Sequence, residues 1–355
     1  MAPRVLLDLR MVQGRLHGIA RYALELARRL PALAPDLRFE ALGPLHGLPP
    51  LGPLAPPIPV YASAAGFLTF AEQPRFRRSL RRIHPDLFHA TSFSVPRFWQ
   101  GHLVATLHDA THLVRADEYG PITAAYYRWV VRPTVLRARG LITVSAFSRA
   151  ELATHLGPAA DRWRVIPQGV DEHFAALPAE DRTRALAPLG LPERYLLAVG
   201  NDKPHKNLAL LARITTRLPL PLVVLGGHEA PLGFPPTTRL LDALDEEVLP
   251  ALYGGAAALL LPSRHEGFGL PALEAMAAGT PVIAASAGAL PEVTAGAAEL
   301  VDPDDDDAWI AAAQRLVEEG ELRQSRIAAG RARAAELTWD RTARETLAVY
   351  RAALG

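Results

Sequence analysis

Two glutamates, Glu266 and Glu274, stand at either end of the glycine-bearing segment His265-Glu266-Gly267-Phe268-Gly269-Leu270-Pro271-Ala272-Leu273-Glu274. Gly267 and Gly269 let a backbone approach a ligand with no Cβ in the way. Pro271 suits the first position of a helix, and the unpaired N–H groups at a helix start attract an anion. Gly267, Phe268, Gly269 and Leu270 therefore read as a cradle for a phosphorylated sugar. Glu274 is expected on the first helical turn, where a carboxylate can accept hydrogen bonds from both hydroxyls of a ribose. Glu266, before the turn, faces whatever the phosphate carries. For either acid alone the competing reading is a loop-to-helix junction whose carboxylate stabilises the helix dipole. The length of the run, continued through Ala275-Met276-Ala277-Ala278-Gly279-Thr280-Pro281-Val282-Ile283, favours the ligand.

The basic residues add a second signal. Of 38 lysines and arginines only Lys203 and Lys206 are lysine, and both lie in Gly200-Asn201-Asp202-Lys203-Pro204-His205-Lys206-Asn207. An ammonium is a compact charge on a flexible stem, whereas a guanidinium is a broad planar fork, so only the former enters a tight pocket beside a phosphate. Chance clustering on a solvated loop is the alternative. The chemical reading is a clamp on an anionic leaving group.

Two further constellations suggest metal chemistry. His108-Asp109-Ala110-Thr111-His112 has the i, i+4 histidine spacing of a helical zinc site, with Asp where a glutamate base belongs, but it follows an apolar strand rather than lying in an amphipathic helix. The run Asp302-Pro303-Asp304-Asp305-Asp306-Asp307 contains an Asp-x-Asp spacing able to hold a divalent cation. It reads better as a solvated loop and helix start. No metal is expected.

Taken together, the C-terminal pieces Val199-Gly200, Pro204-His205-Lys206-Asn207, Leu249 to Tyr253, Leu261-Pro262-Ser263, Glu266 to Glu274, Leu290-Pro291-Glu292-Val293 and Val301-Asp302-Pro303 resemble the family 4 glycosyltransferases. So do Gly18-Ile19-Ala20-Arg21-Tyr22, Thr106-Leu107-His108-Asp109, Val144-Ser145-Ala146-Phe147-Ser148 and Val165-Ile166-Pro167-Gln168-Gly169-Val170 in the N-terminal half. The wording is most similar to bacterial mannosyltransferase-like members that build surface polysaccharides. The resemblance implies GT-B architecture, with two Rossmann-like domains facing across a cleft. It also implies a nucleotide-sugar donor, GDP-mannose first and a UDP-hexose second, and retention of anomeric configuration.

Glycosyl transfer releases a nucleoside diphosphate, develops an oxocarbenium-like centre and deprotonates an acceptor hydroxyl. The resemblance implies that Lys206 stabilises the leaving diphosphate with Lys203 as helper, that Glu266 holds the donor sugar and that Glu274 holds the ribose. His108, at the end of its strand, would position a hydroxyl or share in proton handling. Gly18 would let the first helix approach the diphosphate. Many relatives carry an arginine shortly before the lysine, where this chain has Asn201 and His205, so its phosphate site is expected to hold less fixed positive charge. The acceptor is expected to be a glycan or lipid-linked hydroxyl. A non-catalytic nucleotide-sugar-binding protein and a histidine-based metallohydrolase are the alternatives.

Short apolar runs alternating with longer amphipathic ones read as α/β, in two doubly wound units. Strands are expected near Val5–Leu9, Arg38–Leu42, Asp86–Ala90, Leu103–Leu107 and Leu141–Val144, then near Tyr195–Val199, Leu222–Leu225, Ala257–Leu261, Val282–Ala284 and Glu299–Val301. Helices are expected near Ile19–Leu33, Ile122–Arg139 and Phe147–Leu156. Residues 1–170 form an expected acceptor domain, 171–192 a Pro- and Ala-rich linker, and 193–338 the donor domain. The resemblance implies that the helix within 339–355 crosses back onto the first domain. The proline-laden Pro44 to Pro59 reads as a loop.

At 355 residues and 49% apolar content the chain can bury two cores. It has no cysteine, which excludes disulfide frameworks and thiolate metal sites. No apolar run reaches the roughly 18–20 residues of a membrane span, and the opening Met1-Ala2-Pro3-Arg4-Val5 leads into an expected strand, so a cytoplasmic enzyme is expected. Charge is split: residues 1–170 hold 21 arginines against 11 acids, net +10, and the remainder 17 basic against 26 acidic residues, net −9. Nothing resembles a nucleic-acid module. Within the basic half, Arg75, Arg77, Arg78, Arg81 and Arg82 alternate with Phe76, Leu80 and Ile83, so residues 73–84 are expected to form a short basic amphipathic helix. Such a helix either lies on an anionic bilayer or packs its apolar stripe into the domain.

Overall fold

Leucine- and valine-rich runs such as Val5–Leu7 and Leu259–Leu261 are buried on both faces, the mark of a parallel sheet covered by helices on either side. The computed structural model describes residues 2–13, 17–45, 57–65, 69–226, 233–242, 244–318 and 320–355. These residues form two compact units. One comprises Met1–Gln168 with Trp339–Gly355, and the other Gly169–Thr338.

The first unit is built on seven strands, β1 (Arg4–Asp8), β2 (Arg38–Pro44), β3 (Val60–Ser63), β4 (Leu87–Ala90), β5 (His102–Thr106), β6 (Gly140–Thr143) and β7 (Trp163–Val165). Their order is β3-β2-β1-β4-β5-β6-β7. All neighbours run parallel, with Val5 opposite Phe39 on one side and Leu87 on the other. The second unit repeats the winding with β8 (Leu196–Val199), β9 (Leu222–Leu225), β10 (Arg239–Leu241), β11 (Ala258–Leu261), β12 (Val282–Ala285) and β13 (Glu299–Val301), in the order β10-β9-β8-β11-β12-β13. In each unit the chain leaves its first strand to one side and returns on the other. The loops at the carboxyl ends of β1 and β4, and of β8 and β11, therefore flank a crevice at the point where strand order reverses, the place where doubly wound sheets bind ligands.

The structure adds strands that the sequence pattern hid. β3, β7 and β10 are edge strands of three or four residues, each with exposed positions. The expected helix at Ile122–Arg139 is instead broken. A helix over Ala116–Tyr126 is interrupted at Gly120, whose φ of 78° leaves the helical region, and is followed by a π-helical turn at Tyr127–Val131 and a short helix at Arg132–Val135. Residues 171–192, read as a connector, carry a helix at Ala179–Leu186 that packs on helix Leu249–Gly255 within the second unit. Most of the expected Pro44–Pro59 loop, residues 46–56, lies outside the described residues.

The basic amphipathic segment is a helix over Glu72–Ile83. Its stripe of Phe76, Leu80 and Ile83 is buried in the first core, against Phe88 among others, and its five arginines are exposed. The apolar face is thus used up inside the domain, which removes the bilayer-lying arrangement that needs it. The C-terminal helix Trp339–Leu354 buries Trp339, Leu347 and Tyr350 in the first unit, beside helix Gly18–Leu33 and strands β4 to β6. Gly140 makes that contact possible, because a Cβ there would stand 2.5 Å from Val349 Cγ1. A buried polar chain completes the seam: Tyr350 Oη to His89 Nδ1 at 2.6 Å, His89 Nε2 to Thr106 Oγ1 at 2.8 Å, and Thr106 Oγ1 to Tyr22 Oη at 2.9 Å.

Candidate active site

In the second unit the loops after β8 and β11 are stitched together residue by residue. The His205 carbonyl accepts from the Arg264 N–H at 2.8 Å, and the Asn207 side-chain amide donates to the Pro262 and Pro303 carbonyls at 3.2 and 2.9 Å. Asn207 holds a positive φ of 54°, a conformation its short amide side chain tolerates. Gly226, at the end of β9, leaves room for the turn, since a Cβ there would fall 1.7 Å from the Gly200 carbonyl oxygen.

This frame brings Lys206 and Glu266 into contact. Lys206 Nζ donates to Glu266 Oε1 at 2.7 Å, with 23% of the lysine side chain and 11% of the glutamate exposed. Glu266 is also fixed by its backbone, whose carbonyl accepts from Ala289 N–H at 3.0 Å. Gly288, at φ 60°, passes so close that a Cβ would meet Glu266 N at 2.7 Å. An ammonium carries three donors, so Lys206 can serve Glu266 and an incoming phosphate oxygen together.

Gly269, at φ 102°, caps a helix over Leu270–Ala277. The backbone N–H groups of Phe268, Gly269 and Leu270 donate to no acceptor among the described residues, and they form the anion-attracting end expected of the turn. The helix begins one residue earlier than the sequence suggested. Pro271 is its second residue, and Glu274 opens the second turn rather than sitting on the first. Glu274 is buried and accepts a 2.6 Å hydrogen bond from Tyr253 Oη, which fixes its carboxylate. Tyr253 was legible only as the end of the Leu249 to Tyr253 motif; its contact was not, because it lies 21 residues upstream on another helix. Asn201 is exposed and accepts from the Lys203 N–H at 3.3 Å, while Lys203 is half-buried and His205 buried.

The first unit holds the remaining candidates. Gly18 is the first residue of helix Gly18–Leu33, behind the N-cap His17. His108 lies just past β5, edge-on to Tyr22 with ring centres 4.9 Å apart. Its Nε2 faces the Thr91 carbonyl at 3.0 Å, and its Nδ1 faces the Gln168 amide at 2.8 Å. A carbonyl only accepts, so Nε2 carries the proton and Nδ1 accepts from Gln168. Burial, partly offset by the Thr91 carbonyl, lowers its pKa to about 4. His108 is therefore a fixed neutral imidazole with both nitrogens engaged, which supports positioning rather than proton exchange. Gln168 was legible only as part of a motif.

Neither metal constellation is arranged as a ligand set. His108 is engaged as described, and His112 Nδ1 pairs with Tyr127 Oη at 2.9 Å. In the acidic run, Asp305 Oδ1 caps the helix Asp306–Val317 through the Ala308 N–H at 2.9 Å, Asp306 pairs with Arg213, and Asp304 with Arg264. Among the described residues no group of three or more His, Asp or Glu is placed to hold a metal ion.

At the carboxyl ends of β1 and β4 lies a cluster that sequence reading missed. The wholly buried Arg10 donates to Asp8 Oδ1 from Nε at 2.9 Å and to Asp8 Oδ2 from Nη2 at 2.7 Å, and it stacks on Phe76 at 3.7 Å. Glu72 accepts from Ser94 Oγ at 2.7 Å and from Tyr126 Oη, with Arg10 Nη1 3.8 Å away. Burial raises the Glu72 pKa against these partners.

Residues 16–174 match the pattern of Glycosyltransferase Family 4, and residues 181–333 that of Glycosyl transferases group 1. The chain is 27% identical to the O-antigen chain mannosyltransferase B of Escherichia coli, over 95% of this chain and 96% of that one. It is 30% identical to the D-inositol 3-phosphate glycosyltransferase of Salinispora arenicola, over 95% and 87%. Among solved structures, Anabaena HepE in complex with UDP and glucose superposes with a TM-score of 0.78 at 18% identity, covering 98% of this chain and 99% of that one.

Proposed function

The chain belongs to glycosyltransferase family 4 and is a nucleotide-sugar-dependent transferase of GT-B fold, and from that premise we propose that it moves a hexose, mannose first, to a hydroxyl of a glycan or lipid-linked acceptor with retention of configuration. The observation that carries this reading is the Lys206–Glu266 pair beside the open N–H groups of Phe268, Gly269 and Leu270, at the strand-order reversal of the second unit. Residues 193–338 are the donor domain in this proposal, and the first unit receives the acceptor.

The nucleoside diphosphate binds with its phosphates on the turn N–H groups and Lys206, assisted by Lys203 and Asn201. Its ribose hydroxyls donate to Glu274, held by Tyr253, while Glu266 orients Lys206 and a hydroxyl of the donor sugar. As the anomeric C–O bond breaks, charge grows on the leaving diphosphate, and a preorganised ammonium there stabilises the transition state more than the ground state. The acceptor oxygen bonds to the same face of the anomeric carbon, and its proton passes to the departing phosphate oxygen. His108 and Gly18 position groups from the first unit. The relatives named as mannosyltransferases support GDP-mannose, and the UDP and glucose bound by Anabaena HepE support a UDP-hexose as the second choice.

Arg77, Arg78, Arg81 and Arg82 of helix Glu72–Ile83 line a groove of about 590 Å³ with Pro74 and Phe98, which supports peripheral contact with an anionic membrane face through charge rather than through the buried stripe. Sedimentation with vesicles tests this: binding to anionic but not neutral lipid, lost in Arg78→Glu/Arg82→Glu, is expected, and no binding at low salt overturns it. For the transferase reading the test is a screen of nucleotide sugars by thermal shift and donor hydrolysis. GDP-mannose should stabilise and be slowly hydrolysed. Stabilisation by UDP-sugars alone reassigns the donor, and no response to any nucleotide sugar overturns the site.

A further inference from the structure

Gln168 follows the last strand of the first unit, β7, and is buried, with 4% of the residue exposed. Its amide meets His108 Nδ1 at 2.8 Å, while the Thr91 carbonyl faces Nε2 at 3.0 Å. Thr91 is itself anchored, its hydroxyl donating to the Asp8 carbonyl at 2.5 Å where β1 ends. The C-terminal helix Trp339–Leu354 holds the other side by two routes. Thr342 Oγ1 donates to the carbonyl of Pro167, the residue before Gln168, at 2.8 Å. The Trp339 ring lies 6.3 Å from that of Tyr22, which in turn meets His108 edge-on. The titratable groups around the imidazole are His17 at the start of the first helix, Tyr22 on that helix, His89 on β4 and Asp109 next in the chain. Among the described residues no carboxylate bonds to either ring nitrogen.

We infer that Gln168 is a positioning residue for the transfer: its amide holds His108 as an uncharged imidazole protonated on Nε2, and the C-terminal helix holds Gln168 in place through Thr342. The inference rests on the role proposed above for His108. With Nε2 donating to Thr91, the lone pair of the ring is on Nδ1, and an amide meets it with a neutral donor. An ionised carboxylate in the same place could only accept, so it would draw a proton onto Nδ1 and stabilise the imidazolium. That difference matters beside a reacting sugar. Positive charge grows at the anomeric carbon as the leaving bond breaks, and an imidazolium close by in a desolvated site would oppose it. Glutamine therefore fixes the orientation of the ring without adding charge. The contacts of Thr342 and Trp339 give the last helix a part in that hold, a task separate from covering the sheet.

The test uses the whole chain. Long-range proton–nitrogen NMR reads the ring directly, with the His108 signals assigned by their loss in His108→Gln. The unaltered chain should show the Nε2-protonated form, unchanged from about pH 5.5 to about pH 8. A ring protonated on Nδ1, or one titrating at about pH 6.5, overturns the hold. Gln168→Met keeps the length of the side chain and removes the donor. It should lower kcat about tenfold to a hundredfold, the range for a misplaced reacting group, with the nucleotide dissociation constant unchanged; full turnover overturns the proposal. Gln168→Glu should make kcat rise with pH as the imidazolium loses its proton, and a uniform loss at every pH would mark a merely structural role and overturn the positioning. Thr342→Val should lower kcat less, and adding it to Gln168→Met should cost nothing further; additive losses remove the helix from the hold. The NMR needs no turnover, so a chain that binds no nucleotide sugar yet shows the fixed ring, released in Gln168→Met, would strike the transferase reading alone.

Discussion

The ammonium of Lys206 and the carboxylate of Glu266 meet at 2.7 Å and so join the loop after β8 to the loop after β11. Neither loop alone could present both charges at the strand-order reversal. Each residue positions the other, so their roles in the reaction are coupled. Lys206→Ala should lower turnover by about 10²–10³, the usual effect of removing a preorganised charge-stabilising donor. Lys206→Arg should recover little, because a guanidinium needs more room. Glu266→Gln combined with Lys206→Ala should cost less than the sum of the single losses, as contacting residues do. Steady-state rates at saturating donor check all three, and full activity in the alanine variant would sink the clamp.

Glu274 should show itself in binding rather than in rate. Glu274→Ala is expected to weaken a free nucleoside diphosphate about tenfold or more through loss of charge-assisted ribose contacts. Tyr253→Phe removes the 2.6 Å donor that fixes the carboxylate and should weaken the nucleotide less, with kcat nearly unchanged. Calorimetric titration distinguishes the two. An unchanged dissociation constant in Glu274→Ala removes the ribose assignment.

Acid should destabilise the first unit through two buried imidazoles. Burial lowers His108 to about 4 and His89 to about 3, against roughly 6.5 in an unfolded chain. Between those values the unfolded chain binds protons that the folded chain does not, so stability rises with pH there. The contribution is complete above about pH 6.5 and drains away as the pH falls toward 4. Urea melts at neutral pH and near pH 5 should show the loss, and His89→Gln should reduce it. For the same reason kcat should show no inflection from His108 near pH 6.5; one that disappears in His108→Gln would contradict the fixed neutral ring.

Arg10 offers a stability prediction. Its guanidinium is wholly buried against Asp8, Glu72 and Ser94, so Arg10→Met strands a buried carboxylate. The expected cost is about 3–5 kcal/mol, the usual result of removing one partner from a buried pair. Adding Asp8→Leu should return part of it. Unfolding followed by the fluorescence of Trp163, in the same unit, measures both.

The longer apolar runs and the donor-side residues were legible because each carried a local pattern. Leu259–Leu261 could only be a buried strand, and the Gly267–Leu270 turn could only open a helix. What could not be read was whatever depends on distant pairing. Tyr253 reaches Glu274 from another helix, Gln168 reaches His108 across 60 positions, and Arg10 gathers Glu72 from a helix and Ser94 from a loop. Even Glu274 moved by one position, from the end of the first turn to the start of the second, because the positive φ of Gly269 starts the helix one residue before the proline. The arginine helix exposed the same gap, since periodicity revealed an apolar stripe but not that Phe88 and its neighbours cover it.

The seam between Tyr350 and His89 spans 261 positions, and all of the second unit is threaded between its two halves. A ribosome adding about 5–20 residues per second needs roughly ten to fifty seconds to pass from one partner to the other. Throughout that interval the first sheet lacks its closing helix, with the groove beside Gly140 open, and by its end, from residue 338 onward, the second unit already has its whole sequence. Completion therefore runs opposite to chain order: the later unit can complete first, and the earlier one only once the helix Trp339–Leu354 has been made. A chain stopped at residue 338 should give a protease-resistant second unit and a degraded first one; equal resistance of both would show that the last helix is dispensable for closure.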